Sequence, residues 1–341
     1  MVQFVDVKNV SRWISTTGLD NIFDGLVSYV ESDFKRWENF EKRPRVASHS
    51  HYGVIELMPT SDGSNYSFKY VNGHPINTKK GLQTVTAFGV IADVESGYPT
   101  FISEMTLLTA LRTAATSVVA ASPLLNPGVE SMSMIGTGSQ SEFQAIAFRS
   151  KFGIQNLKVW DTDPEAMEKF VLNLEPLGFD ITVAKNANEA VAGAQLITTC
   201  TADKTNATIL TEDMVAVGAH INALGGDCPG KTELDADLLR KSKIFVELTE
   251  QTRIEGEIQQ LEADSEVTEL WTVLRGSAEG RSSHDMITIF DSVGFAIEDF
   301  SVLRYLQNSV QGTDYFEELD LIAEPSDPKN LFSLISENAV W

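Results

Sequence analysis

Cysteine is scarce in this 341-residue chain. Cys200 and Cys228 stand alone, neither in a CxxC pair nor in a Cys/His cluster, so a disulfide framework and a structural zinc site are both excluded, and a reducing compartment is expected. Histidine is nearly as rare: His49, His51, His74, His220 and His284 form no HExxH-type pair, and no metal site is expected. Bases are few, with 26 Lys and Arg against 48 Asp and Glu and a net charge of −22, which argues against nucleic acid or an anionic membrane as partner. No apolar run approaches a membrane span, and the opening MVQFVDVKNVSRW lacks the basic segment and apolar core of a signal peptide, so a cytoplasmic location is expected. The remaining composition, 43% hydrophobic and 22% charged, is that of a soluble globular protein long enough for two cores.

Against these absences, residues 132–163 carry a dense signal. A short apolar strand, 132–135, runs into Gly136-Thr137-Gly138, and a helix begins at Ser139-Gln140-Ser141 with Phe143, Ile146 and Ala147 at helical spacing. Gly136 permits the tight turn, Gly138 lets backbone approach a pyrophosphate, and the free N–H groups of the helix start face the anion. Ser141 replaces the third glycine of GxGxxG. A second strand, 157–160, ends in Asp161, close to the spacing of about 20 residues expected for the acid that holds the adenosine ribose. A carboxylate there repels a 2′-phosphate, so NAD is expected over NADP.

From residue 132 onward, strand candidates at 132–135, 157–160, 180–184, 195–199, 217–221, 243–247 and 286–290 alternate with helical or turn-rich segments. This pattern predicts an α/β fold: a doubly wound, mostly parallel Rossmann-type sheet whose ligands bind beyond the strands' carboxyl ends. Residues 1–126 read as a separate α+β domain, with helical stretches near 19–39, β-like segments GVIELMP, YSFKYVNG and TVTAFGVIADVESG, and a helix through Leu107–Thr116. Pro127 and Gly128 mark the junction. The predicted division is residues 1–126 with 311–341 for substrate binding and dimerisation, and 127–310 for NAD. The acidic tail, with Leu331, Phe332, Leu334 and Ile335 near its end, is expected to pack back on the first domain.

Three cations occupy unusual settings. Arg112 lies among small and apolar helix residues, Lys69 alternates between Phe68 and Tyr70 on a strand, and Arg45 follows Pro44. Each either pairs with a protein carboxylate or joins a clamp for a substrate carboxylate. Asp227, in a Gly- and Pro-rich loop after a predicted strand, is placed to face the nicotinamide end of a dinucleotide or to serve simply as a turn residue. Cys228 beside it has no histidine partner in sequence and reads as a packed thiol.

The strings FKYVNGHP, TALRTAATS, GTGSQSEFQAIAF, ITTCTADK, GGDCPGKTEL, EGEIQQL and DSVGFAIEDFSVLRYL, spread over residues 40–310, together resemble the ornithine cyclodeaminase/mu-crystallin family. The resemblance implies conversion of L-ornithine to L-proline and ammonia with catalytic NAD, Asp227 as the acid/base, and Arg45, Lys69 and Arg112 on the substrate carboxylate. It further implies Glu56 facing the substrate amines and Val293 beside the substrate. The implied NAD contacts are Thr84, Arg112, Gly136, Gly138, Ser139, Gln140, Asp161, Thr201, Lys231 and Ser292. A homodimer through the first domain is also implied. Alternatives within the family are an NAD-dependent amino-acid dehydrogenase, a ketimine reductase and a lysine cyclodeaminase; a non-catalytic dinucleotide-dependent binding protein is the alternative outside enzymology.

Overall fold

The computed structural model describes residues 1–202 and 207–336. Asp203 and Lys204, the end of the ITTCTADK string, and residues 337–341 of the tail lie outside them. The first sheet is built from β1 (Val2–Val5), β2 (Val46–His49), β3 (Val54–Ser61), β4 (Asn65–Gly73), β5 (Ala87–Asp93) and β6 (Pro99–Glu104). Strands β2 to β6 form an antiparallel meander, and β1 lies parallel to β6. Side chains alternate across this sheet. Glu56, Met58, Lys69 and Val71 are buried on one face, whereas Ile55, Leu57, Tyr66 and Phe88 are exposed on the other.

The second sheet holds β7 (Ser131–Ile135), β8 (Asn156–Trp160), β9 (Asp180–Val183), β10 (Leu196–Thr199), β11 (His220–Ala223), β12 (Lys243–Val246), β13 (Thr268–Glu269) and β14 (Thr288–Asp291). Its order is β13-β12-β14-β11-β10-β7-β8-β9, with every pair parallel. The chain winds outward from β7 in both directions, which is the doubly wound arrangement, and the switch between β7 and β10 opens a crevice at the strands' carboxyl ends. Strands β10, β11 and β14 are buried at every position, as a parallel sheet covered on both faces requires. Two strands start later than the sequence suggests. The expected 217–221 is observed at His220–Ala223 because Gly218 is a turn residue, with φ +80° and no room for a side chain beside the His284 carbonyl. The expected 286–290 lies at Thr288–Asp291.

The helix Thr106–Leu124 has the length and apolar composition to cross a membrane, contrary to the expectation that no run would, yet 67% of that window is buried in the protein. The helix Ala296–Ser309 packs against the helices Leu19–Lys35 and Thr106–Leu124 and against the inner face of β3, β4 and β5. After it, β15 (Glu317–Leu319) pairs antiparallel with β1, so part of the tail does return to the first sheet. The apolar end does not: Leu331, Phe332 and Ile335 are exposed. Their segment has a single helical turn, Ser333–Ser336, too short to present an apolar face of its own.

Candidate active site

The glycine turn sits at the carboxyl end of β7. Gly136 has φ +95°, and a Cβ there would lie 2.8 Å from the Cys200 carbonyl oxygen, so only glycine fits. At Gly138 nothing stands within 4 Å of the place a Cβ would take, leaving the open backbone approach that a pyrophosphate needs. The helix that follows is Ser141–Phe152, with Gln140 rather than Ser139 at its cap. Ser141 suits its place because its hydroxyl donates to the Gly138 carbonyl at 2.7 Å. Asp161, at the end of β8, accepts from the backbone N–H of Thr137 at 2.6 Å and from its hydroxyl at 3.2 Å, which ties the acid to the turn. Gln140 donates to the Ala110 carbonyl at 3.1 Å and thereby links the turn to the helix that carries Arg112.

The remaining strand ends complete a rim. Thr201 follows β10, and its N–H donates to Glu233 at 3.0 Å. Lys231, 5% exposed, donates to the Thr201 carbonyl at 3.1 Å and to Asp227 at 3.2 Å, folding the GGDCPGKTEL loop over the end of β10. Ser292, just past β14, donates to the buried Glu247 at 2.6 Å. Thr84 lies apart in the loop before β5, its carbonyl accepting from His74 at 2.8 Å. A cavity of about 520 Å³ also borders the turn, lined by Thr137, Gly138, Ser139, Phe143 and Lys169. Its walls come from the turn and from the helices Ser141–Phe152 and Pro164–Leu174, and none of the three cations lines it.

Arg45, Lys69 and Arg112 converge beneath the inner face of the first sheet, against the start of the helix Ala296–Ser309. Arg45 contacts Glu56 at 3.1 Å and Glu255 at 3.0 Å, and donates to the carbonyls of Val293 and Gly294 at 2.6 and 2.7 Å. Lys69 donates to Asp299 at 2.8 Å, and Arg112 meets Glu298 at 2.5 Å and Asp299 at 3.0 Å. Gly294 has φ +77°, a conformation that favours glycine, and a Cβ on it would lie 2.6 Å from a terminal nitrogen of Arg112 and displace that guanidinium. Asp227 is set at the rim with 53% of its side chain exposed, and its field reaches both Arg45 and Glu255.

Each cation therefore has a carboxylate partner, and the three nevertheless form one cluster. Burial, opposed by Arg45, pushes Glu255 up to about 7, and burial, opposed by Arg112, pushes Glu298 up to about 8. Burial thus works against the charged form of both acids and weakens their hold on Arg45 and Arg112. Burial and the neighbouring Arg112 bring Lys69 down to about 8. Nε of Arg45 faces Oε2 of Glu255 and Nε of Arg112 faces Oδ1 of Asp299, each at 3.0 Å, whereas Oε1 of Glu298 and Oδ2 of Asp299 are buried with no hydrogen-bond partner among the described residues.

Sequence reasoning found the cations and missed their partners Glu255, Glu298 and Asp299, together with Gln251, which accepts from the Arg45 backbone N–H at 3.1 Å. Glu255, Glu298 and Asp299 sit inside the EGEIQQL and DSVGFAIED strings. For Glu298 and Asp299 the available signal was acids after a largely apolar stretch, the mirror image of the argument that singled out Arg112, whereas Glu255 lies among polar and charged residues and carried no such signal.

Fold and glycine turn together define a dinucleotide-binding α/β protein in which three buried cations cluster with carboxylates. Residues 7–314 match the Ornithine cyclodeaminase/mu-crystallin family, and the chain belongs to it. An ornithine cyclodeaminase of Brucella suis biovar 1 is 57% identical over 335 residues, covering 98% of this chain and 94% of that one. Among solved structures, a lysine cyclodeaminase studied for recognition of L-lysine, L-ornithine and L-2,4-diaminobutyric acid superposes with a TM-score of 0.90 at 29% identity, covering 96% and 97% of the two chains. An archaeal alanine dehydrogenase dimer with bound NAD superposes with a TM-score of 0.85 at 30% identity, covering 94% and 99%.

Proposed function

We propose that this protein is an ornithine cyclodeaminase that uses NAD catalytically to convert L-ornithine to L-proline and ammonia. The 57% identity to an enzyme of that name over 98% of the chain carries the reading. The convergence of Arg45, Lys69 and Arg112 beside Asp227 supports it. Residues 127–310 would hold NAD through Gly136, Gly138, Ser139, Gln140, Asp161, Thr201, Lys231 and Ser292, with Thr84 and Arg112 contributing from residues 1–126. Bound NAD⁺ supplies removal of hydride from Cα and its later return to the cyclic imine.

The chain's own residues supply orientation and proton movement. Arg45, Lys69 and Arg112 hold the substrate carboxylate, fixing Cα. Glu56, next to Arg45, faces the substrate amines, and Val293 lines the pocket beside them. Asp227 accepts a proton from an ammonium and returns it to the departing ammonia, a task that suits a carboxylate at the rim, in reach of both solvent and pocket. After oxidation, attack of the δ-amine on the α-imino carbon closes a five-membered ring and expels the α-nitrogen. The redox balance is zero.

The exposed apolar face of β2 to β5, with Val46, Ile55, Leu57 and Phe88 and the stacked pair Tyr70 and Phe88 at 5.3 Å, supports a homodimer through the first sheet. The burial of most of the helix Thr106–Leu124 and the surplus of acids support a cytoplasmic enzyme. Incubation with L-ornithine and substoichiometric NAD⁺ tests the reading: proline and ammonia should appear in equal amounts over many turnovers per NAD⁺ with no rise in NADH absorbance. Net NADH formation would replace it with an amino-acid dehydrogenase.

A further inference from the structure

Lys69 is the cation whose charge is least secure. It is 1% exposed on β4, where its cross-strand neighbours Met58 and Gly89 offer no side-chain acceptor. Two guanidinium groups face it, Arg112 from the helix Thr106–Leu124 and Arg45 from the segment before β2, and both favour loss of its proton. Glu56 on β3 is engaged with Arg45, and Glu298 with Arg112. Among the described residues its hydrogen-bond partner is Asp299, through Oδ1 at 2.8 Å. The same oxygen lies 3.0 Å from Nε of Arg112.

Asp299 is itself placed by the fold. It lies in the first turn of the helix Ala296–Ser309, where the helix dipole favours a carboxylate, and it is 1% exposed. One carboxylate oxygen thus joins two like charges delivered by two different elements. We infer that Asp299 is a positioning residue for the cyclodeaminase reaction: through one oxygen it holds Lys69 beside Arg112 and keeps Lys69 protonated for the substrate carboxylate. This rests on the carboxylate-clamp reading given above. A charged Lys69 is needed to bind an anion, and Asp299 is the anion nearest to its nitrogen. With Lys69 at about 8 in the presence of Asp299, the clamp is charged at neutral pH and weakens above about pH 8. Without that carboxylate, burial and the two arginines act unopposed, and the weakening moves to lower pH.

Pentanoate is a suitable probe, because it carries the carboxylate and five-carbon chain and has no amine to titrate. Its inhibition constant against L-ornithine would be measured with NAD present from pH 6 to 9.5 for the parent enzyme, Asp299→Asn, Asp299→Glu and Arg112→Ala. The parent should lose affinity above about pH 8, Asp299→Asn at least about one unit lower, which is about a fivefold difference at pH 8, and Asp299→Glu should stay near the parent. Selective ¹⁵N labelling of lysine, with Lys69 assigned through Lys69→Arg, reads the same titration in the parent without any substitution at Asp299. It should show Lys69 protonated at pH 7 and titrating near pH 8. Unchanged pentanoate affinity in Arg112→Ala would overturn the clamp reading itself. Weakened binding in Arg112→Ala together with a parent-like profile in Asp299→Asn would overturn this inference alone, as would a Lys69 that titrates above pH 10.

Discussion

Asp227 has 53% of its side chain in solvent, whereas the side chains of Arg45, Lys69 and Arg112 are at most 7% exposed. The division follows from what each must do. Cations that orient a carboxylate gain from a low dielectric, while a group that exchanges protons needs a route to water. Asp227→Asn should lower kcat by about 10²- to 10⁴-fold, the usual worth of a general acid/base, and leave the Kd for NAD within about threefold by calorimetry. Turnover within twofold of the parent would remove Asp227 from the chemistry. At this scale the cations were legible because a charge among apolar neighbours is conspicuous in a chain with so few bases. Their partners were not, because Arg112 and Glu298 stand 186 residues apart and only the fold brings them together. Of the two sequence readings of each cation, the pairing with a protein carboxylate is what the fold displays, and burial raises two of those partners, Glu255 and Glu298.

Among the elements, the unit from β7 through Asp161 was the most legible, since its glycines and strand spacing state local geometry directly. The expected helix start was off by two residues, because Ser139 and Gln140 remain in the turn. The first strand and the helix Val7–Thr17 went unread. Strand β1 has four residues and is held by partners near positions 101 and 318, so its pairing has no local signature. Gly136→Ala tests the turn. The positive φ costs about 1 to 2 kcal/mol for any other residue, and the carbonyl of Cys200 blocks the new methyl group. NAD affinity should fall by more than about tenfold, with a lower Tm in thermal unfolding. Parent-like values of both would show that the turn tolerates a side chain and that its glycine is not required.

In the whole molecule, the helix Ala296–Ser309 leaves the last strand of the nucleotide sheet and lies against the inner face of the first sheet. It thereby delivers Glu298 and Asp299 to cations that belong to the other half of the chain. The second, parallel sheet was legible from the alternation of strand and helix after residue 132, and this crossing was not, because an amphipathic helix does not state which sheet it covers. The outer face of the first sheet makes its own claim. Leu57, 44% exposed at its centre, should bury against a second copy. Leu57→Asp should shift sedimentation from dimer toward monomer at micromolar concentration, and an unchanged dimer would place the interface elsewhere.

The central claim is that one hydride leaves Cα and returns to the same molecule. L-Ornithine deuterated at Cα, turned over with NAD⁺ and an excess of unlabelled NADH, tests this by mass spectrometry of the product. Proline that keeps its deuterium at Cα, with one ammonia formed per proline, is the predicted result. Proline without deuterium, or deuterium accumulating in the NADH pool, would contradict it.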